Sequence, residues 1–196
     1  MANTNIARGL IPYRNQADMY VTGGMGLYRV PSGQAYNLFV GDPVIPLGTS
    51  DANGIPDVGI ATAGTSNYLL GPMVSIAPGG DPVVAVTRDQ PTYRLNGITQ
   101  YILVAHDPEF MFEIQDDGSA ALTNTSTWSN ANLVAGTGST VTGYSGWQLL
   151  ASTVATTSTF QLRIMRLLQQ ADNAFGVNAK WLVRINLHSM TNPTGI

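Results

Sequence analysis

The 196-residue chain has no cysteine, and it carries one lysine and two glutamates. Without cysteine there are no disulfides and no thiolate-bound metals, so stability must come from packing and association. Charged residues make up 11% of the chain, against about 25% in an ordinary soluble domain. Lys180, Glu109 and Glu113 are the sole representatives of the two residue types that usually coat a free monomer. A surface of Thr, Ser, Asn, Gln and Gly suits burial against other subunits better than isolation. Clustered basic residues are missing as well. Net charge is −3 and the arginines are scattered along the sequence, so neutralisation of a phosphate backbone is not expected. No apolar run approaches the length of about 18 residues that a membrane helix needs. The start, MANTNIARGLIPYR, lacks the apolar stretch of a signal peptide, so synthesis in the cytoplasm is expected.

What is present is strand after strand. Residues 1–16 show no hydrophobic period, but the cluster Leu10, Ile11, Pro12 and Tyr13 predicts an extended arm that docks on something. From there to residue 196 the pattern is β-rich. MYVT, LYRV, YNLFV, YLLGPMVSI, PVVAVTR, GITQYILVA and EFMFEIQ are short apolar runs separated by Gly, Pro, Asn and Asp turns. Asn53-Gly54 carries the signature of a type I′ hairpin turn. Gly71-Pro72 predicts an edge or a bulge, since proline cannot donate to a ladder. Phe160, Leu162 and Ile164 alternate with Gln161 and Arg163, and the alternation breaks at Arg166. Trp181, Val183, Ile185 and Leu187 alternate with Leu182, Arg184, Asn186 and His188. Period two means half-buried strands. TNTSTWSNANLV has room for one short helical turn. The fold class is all-β, a β-sandwich or β-barrel body with an extended N-terminal arm, and a sub-division of the body is expected near 98–117. GDPV occurs at Gly41–Val44 and again at Gly80–Val83, a turn echo. From Gly118 to Leu162 there is no charged residue at all, which predicts a neutral face.

The motifs that could carry chemistry fail on inspection. In GTGSTVTGYSGW, residues 136–147, Gly138 and Gly143 match the front of a phosphate-binding loop. Tyr144 stands where the lysine belongs, and strand character follows where a helix is required. GYSGW misses the spacing of a nucleophile elbow. His106 and His188 have no evident serine and carboxylate partners, so each reads as a polar cap or a surface residue. Asp51-x-Asn53-Gly54 begins like a calcium loop but lacks its later ligands. Glu109 and Glu113 share a face of one strand about 13 Å apart, too far for glycoside hydrolysis. No enzyme activity, metal or cofactor is expected. Trp128, Tyr144 and Trp147, in the uncharged segment, join Leu10, Ile11 and Tyr13 as candidate interface residues, with a sugar-binding platform as the alternative for the two tryptophans.

The order ARGLIPYR, LFVGDPV, DPEFMFEIQDD, NLVAGTGSTVTGYSGWQL and FQLRIMRLLQQADNAFGVNAKWLVRINLH resembles a family of small head proteins of tailed bacteriophages that decorate or cement the capsid. The resemblance spans most of the chain, is strongest from Asp107 onward and is faint across 48–97. It implies a non-catalytic virion protein on the capsid surface, bridging major capsid protein subunits, as a homotrimer or singly. Another virion role, such as a head-fibre base or tail component, is the nearest alternative, and a carbohydrate-binding β domain a more distant one.

Overall fold

A computed structural model describes residues 3–15, 23–77, 91–192 and 195. Regular structure among them is all β, apart from three single turns of 3-10 helix. One of these turns, Asn124–Ser126, falls in the segment expected to hold a helical turn. Three sequence features lie outside the described residues: the MYVT run, the PVVAVTR run and the second GDPV.

The chain opens with β1 (Ile11–Asn15), then enters a closed barrel of β2 (Met25–Val30), β3 (Pro43–Ser50), β4 (Pro56–Ile60), β5 (Gly71–Ile76) and β6 (Gln100–Ala105). Around the barrel the order is β2-β4-β3-β5-β6, with β6 returning to β2. Its interior is filled by Val30, Leu38, Val44, Val58, Leu70, Met73, Ile102 and Val104, as small barrels require. The seam between β2 and β4 is parallel and rests on one ladder pair, Arg29 with Asp57. The same two residues supply a fork of charge-assisted hydrogen bonds, Nε to Oδ1 at 2.6 Å and Nη2 to Oδ2 at 2.8 Å, and Thr49 Oγ1 donates to the second oxygen. The guanidinium beside it holds the Asp57 carboxyl below the usual carboxylate range.

The turn between β3 and β4 differs from the expected type I′. Asn53 keeps a negative φ and Gly54 alone is left-handed, at +81°. The Asp51 N–H bonds the Ile55 carbonyl, and Asp51 Oδ1 accepts from the N–H groups of Asn53 and Ile55. This is a three-residue loop in which an aspartate side chain stabilises a type I turn followed by a left-handed glycine. Pro72, near the start of β5, faces Pro43 across the ladder, and the expected bulge follows between Met73 and Ser75.

After β6 the chain leaves the barrel through the turn at 106–109. It then builds a five-stranded sheet from β7 (Phe110–Gln115), β8 (Asn130–Ala131), β11 (Leu162–Leu167) and β12 (Lys180–Ile185), with β1 as one edge. The order is β1-β7-β12-β11-β8, every pair antiparallel. A small ribbon of β9 (Leu133–Val134) and β10 (Gln148–Leu149) lies beside it. The break in alternation at Arg166 is a bulge in the pairing of β11 with β12. Phe112, Ile114, Leu162, Ile164, Trp181, Val183 and Ile185 form the sheet's inner face, and Ala61, Leu69 and Ala105 from the barrel side join the same core. The barrel interior remains a cluster of its own, and Ile60 packs against both it and the sheet core. Gln161, fully buried, ties them further. Its amide nitrogen donates to the carbonyls of Thr62 and Asn67, and its oxygen accepts from the N–H groups of Gly64 and Leu133.

The N-terminal segment is extended, as expected, but it is built into the body. β1 pairs with β7, and the Leu10 side chain is fully buried in the main core. Just before it the chain crosses the Gly41 turn, where the Leu10 N–H bonds the Gly41 carbonyl. Gly9 and Gly41 both have left-handed φ, and a Cβ on Gly9 would run into the Gly41 carbonyl, one on Gly41 into the Arg8 carbonyl. This crossing tolerates only glycine.

Candidate interaction surface

The uncharged loop 136–147 folds back on itself. The Ser139 N–H bonds the Tyr144 carbonyl and the Gly143 N–H bonds the Ser139 carbonyl, which puts Val141 at the tip. Gly136 and Gly146 bring the two limbs so close that a Cβ on either would meet the other limb's backbone. The loop also adds to the barrel rim, since Val40 N–H bonds the Gly143 carbonyl and Ser145 N–H bonds the Val40 carbonyl. Its glycines serve close approach of backbones, and its bonded amides go to its own turns and to Val40.

This geometry sorts the expected interface residues. Leu10 and Trp147 are corrected to core residues. Leu10 is drawn in at the glycine crossing, and Trp147, 3% exposed, is turned inward where the loop limbs close. Ile11 and Tyr13 are half-buried on β1. Tyr144 is exposed, with the Arg8 guanidinium 5.4 Å from its ring centroid, so the N-terminal segment and the loop do meet. Trp128 stands alone at 66% exposure, in a left-handed backbone of φ +66°. With Trp147 buried, the two tryptophans form no sugar platform.

Sequence reasoning missed other exposed apolar groups. Val141 is 90% exposed. Ile6, Phe175 and Val177 surround a knot of hydrogen bonds in which Asn3 Nδ2 donates to the carbonyls of Ala174 and Val177, and Gln115 Nε2 donates to those of Thr4 and Asn178. No short motif marks these positions, because only the packing of residues 3–6 on the 174–178 loop brings them together.

The titratable groups are deployed structurally. Asp51, the start of the calcium-like motif, spends both oxygens internally, the second accepting from Tyr101 Oη at 2.7 Å. Among the described residues no group of three or more His, Asp or Glu could hold a metal. His106 Nδ1 lies 2.8 Å from Tyr28 Oη, and His188 Nδ1 accepts from the Met190 N–H. Among the described residues neither histidine is bonded to a serine and a carboxylate.

Asp42 and His188 are both 2% exposed and titrate abnormally. Burial pushes the Asp42 carboxyl up to about 6, against pull from Ser145 and the Phe39 N–H. Burial pushes His188 down to about 4, assisted by His106 and Arg184 and opposed by Asp107. Asp42 folds more readily protonated, so its contribution is present below its unfolded value and is lost as pH rises to about 6. His188 folds neutral, so its contribution is present above its unfolded value and is lost as pH falls towards 4. Each is worth about 2–3 kcal/mol, and the two oppose one another between pH 4 and 6. In urea titrations Asp42→Asn is expected to lose stability on acidification from pH 6.5 to 4 more steeply than the wild type. His188→Gln is expected to lose it on the way back up. Parallel profiles for all three proteins would contradict this assignment.

The fold and surface define an all-β protein: a filled barrel joined to an open sheet, with large apolar side chains standing on a weakly charged exterior. No family model, no curated protein and no solved structure matches the chain.

Proposed function

We propose that this chain is a structural virion protein that decorates and cements the outer surface of a tailed-phage capsid by bridging major capsid protein subunits, with its exposed apolar groups as contacts. The observation that carries the reading is the contrast between a filled interior and protruding apolar side chains, Trp128 and Val141 above all. A non-glycine residue in left-handed backbone costs about 1–2 kcal/mol, and Trp128 bears that cost while 66% of its surface stays in water. A partner that buries the indole offsets it. The ordering of segments that resembles capsid decoration proteins supports the same reading, as does the low charge of the chain.

The role is tested by counting copies in purified particles. Hundreds of copies per particle supports decoration, and a handful at one vertex turns the reading towards a fibre-base or tail component. At the residue level, Trp128→Gly is expected to lower particle occupancy at least tenfold while leaving the melting temperature within about 2 °C. Relief of the left-handed strain offsets the added chain entropy of glycine. Undiminished occupancy would remove Trp128 from the contact.

A further inference from the structure

The basic residues, scattered in sequence, are gathered by the strand register. Arg163 pairs with Arg184, Arg166 with Leu182, and Lys180 with Gln115. Because paired residues share a face, Arg163, Arg166, Lys180 and Arg184 all lie on the outer face of the five-stranded sheet, opposite its core. Arg8 reaches the same region, lining a small hollow with Glu113 and Lys180. Of the other described basic residues, Arg29 is bound to Asp57 and Arg94 is fully buried. Two carboxylates accompany the cluster, Glu113 on β7 and Asp172, whose Oδ2 is 3.5 Å from Lys180 Nζ.

One pair in this face works against the fold. Arg163 and Arg184 stand directly opposite on neighbouring strands, an arrangement that destabilises a sheet. Arg163 is held by neutral groups, the side-chain oxygens of Asn130 and Asn186. The Arg184 guanidinium meets no carboxylate among the described residues. Both are half-buried, so water screens them only in part. Two half-buried guanidiniums on one face, with no carboxylate between them, favour an acidic partner, since the planar guanidinium fork matches carboxylates.

We infer that the outer face of the β7-β12-β11 sheet is a docking surface for an acidic segment of a protein partner, with Arg163 and Arg184 as its centre. Glu113 in the middle of the face disfavours a continuous phosphate backbone, whereas separate carboxylates of a peptide can bracket it. The inference rests on the docking role proposed above.

The test uses the full chain, an isotope-labelled sample and two probes of equal length, a poly-L-glutamate peptide and a single-stranded oligonucleotide. Poly-L-glutamate is expected to shift the amide signals of β11 and β12, with affinity falling as salt rises. Arg184→Gln is expected to weaken that binding at least threefold while melting no lower than the wild type, because it removes a like-charge pair. Arg163→Gln serves as a second variant with the same expected loss of binding. Stronger binding of the oligonucleotide at these strands would overturn the assignment in favour of nucleic acid. Absence of poly-L-glutamate binding, or a stability loss in Arg184→Gln with unchanged binding, would overturn it outright. Since the probe is a free peptide, such a failure removes this face and leaves the copy count in particles to judge the docking role itself.

Discussion

Replacing Arg94 with alanine is expected to cost the fold about 3–5 kcal/mol, and lysine is expected to restore less than half of that. Arg94 is fully buried and has no carboxylate partner among the described residues. Its guanidinium instead gathers four backbone carbonyls. Nε donates to Ile98 at 2.9 Å, Nη1 to Gln34 at 2.8 Å and Tyr36 at 2.6 Å, and Nη2 to Pro31 at 3.0 Å. The Tyr36 ring lies 5.6 Å from the charge. Its own backbone pairs with Leu38 in both directions, at 3.0 and 2.8 Å. The residue therefore stitches the connection after β2 to the connection before β6 at one end of the barrel. Truncation removes the guanidinium donor from all four carbonyls, of which Pro31 and Gln34 keep an N–H, from Gln34 and Gly97 respectively. Lysine offers one point of donation and cannot span the four. For a chain of this size the alanine variant should melt roughly 10 °C lower. A lysine variant melting within 2 °C of the wild type would show that the planar fork is not what secures these loops.

Asp116→Asn is expected to be almost as damaging as Asp116→Ala, at about 3–5 kcal/mol, although it changes one atom. The carboxylate is fully buried at the end of β7. Oδ1 accepts from the N–H groups of Gly118 and Asn178, at 3.0 and 2.6 Å. Oδ2 accepts from the Ala179 N–H at 2.9 Å and from the Trp181 indole at 3.2 Å. Four donors converge on two oxygens, and an amide nitrogen in place of either oxygen would point hydrogens at hydrogens. Burial raises the carboxyl's pKa and these donors pull it back. The junction it holds joins β7, the loop before β12 and the central Trp181. The measurement is urea unfolding followed by tryptophan fluorescence. A native-state spectrum unlike the wild type's, together with an earlier midpoint, is the expected result. An Asn variant with the wild-type midpoint would mean that the indole and the loop find other acceptors.

Much of the fold was legible because alternation is local. The alternations at 160–164 and 181–188 announced strands, and the break at Arg166 announced a bend, a bulge or an end, of which the structure has the bulge. The Asn53-Gly54 dipeptide announced a turn but not its type, because the Asp51 side chain decided between turn geometries. Leu10, Trp128 and Trp147 look alike as apolar residues in polar surroundings. Their fates diverged because two glycine contacts, one at the Gly9–Gly41 crossing and one between the loop limbs, drew the first and third inward and left Trp128 outside.

By itself the sequence determined the class. A cysteine-free, charge-poor chain of short apolar runs with period two, cut by Gly, Pro and Asn, can bury its core only as sheets. What the tertiary structure decided is everything that depends on which strand meets which. A single Arg29–Asp57 pair closes the barrel, the pairing of β11 with β12 sets Arg163 against Arg184, and Arg94 and Asp116 collect their partners from segments far apart in the chain. Such pairings join residues from distant parts of the chain, and a local period cannot specify them. The core that selects them exists only once barrel and sheet have closed over it.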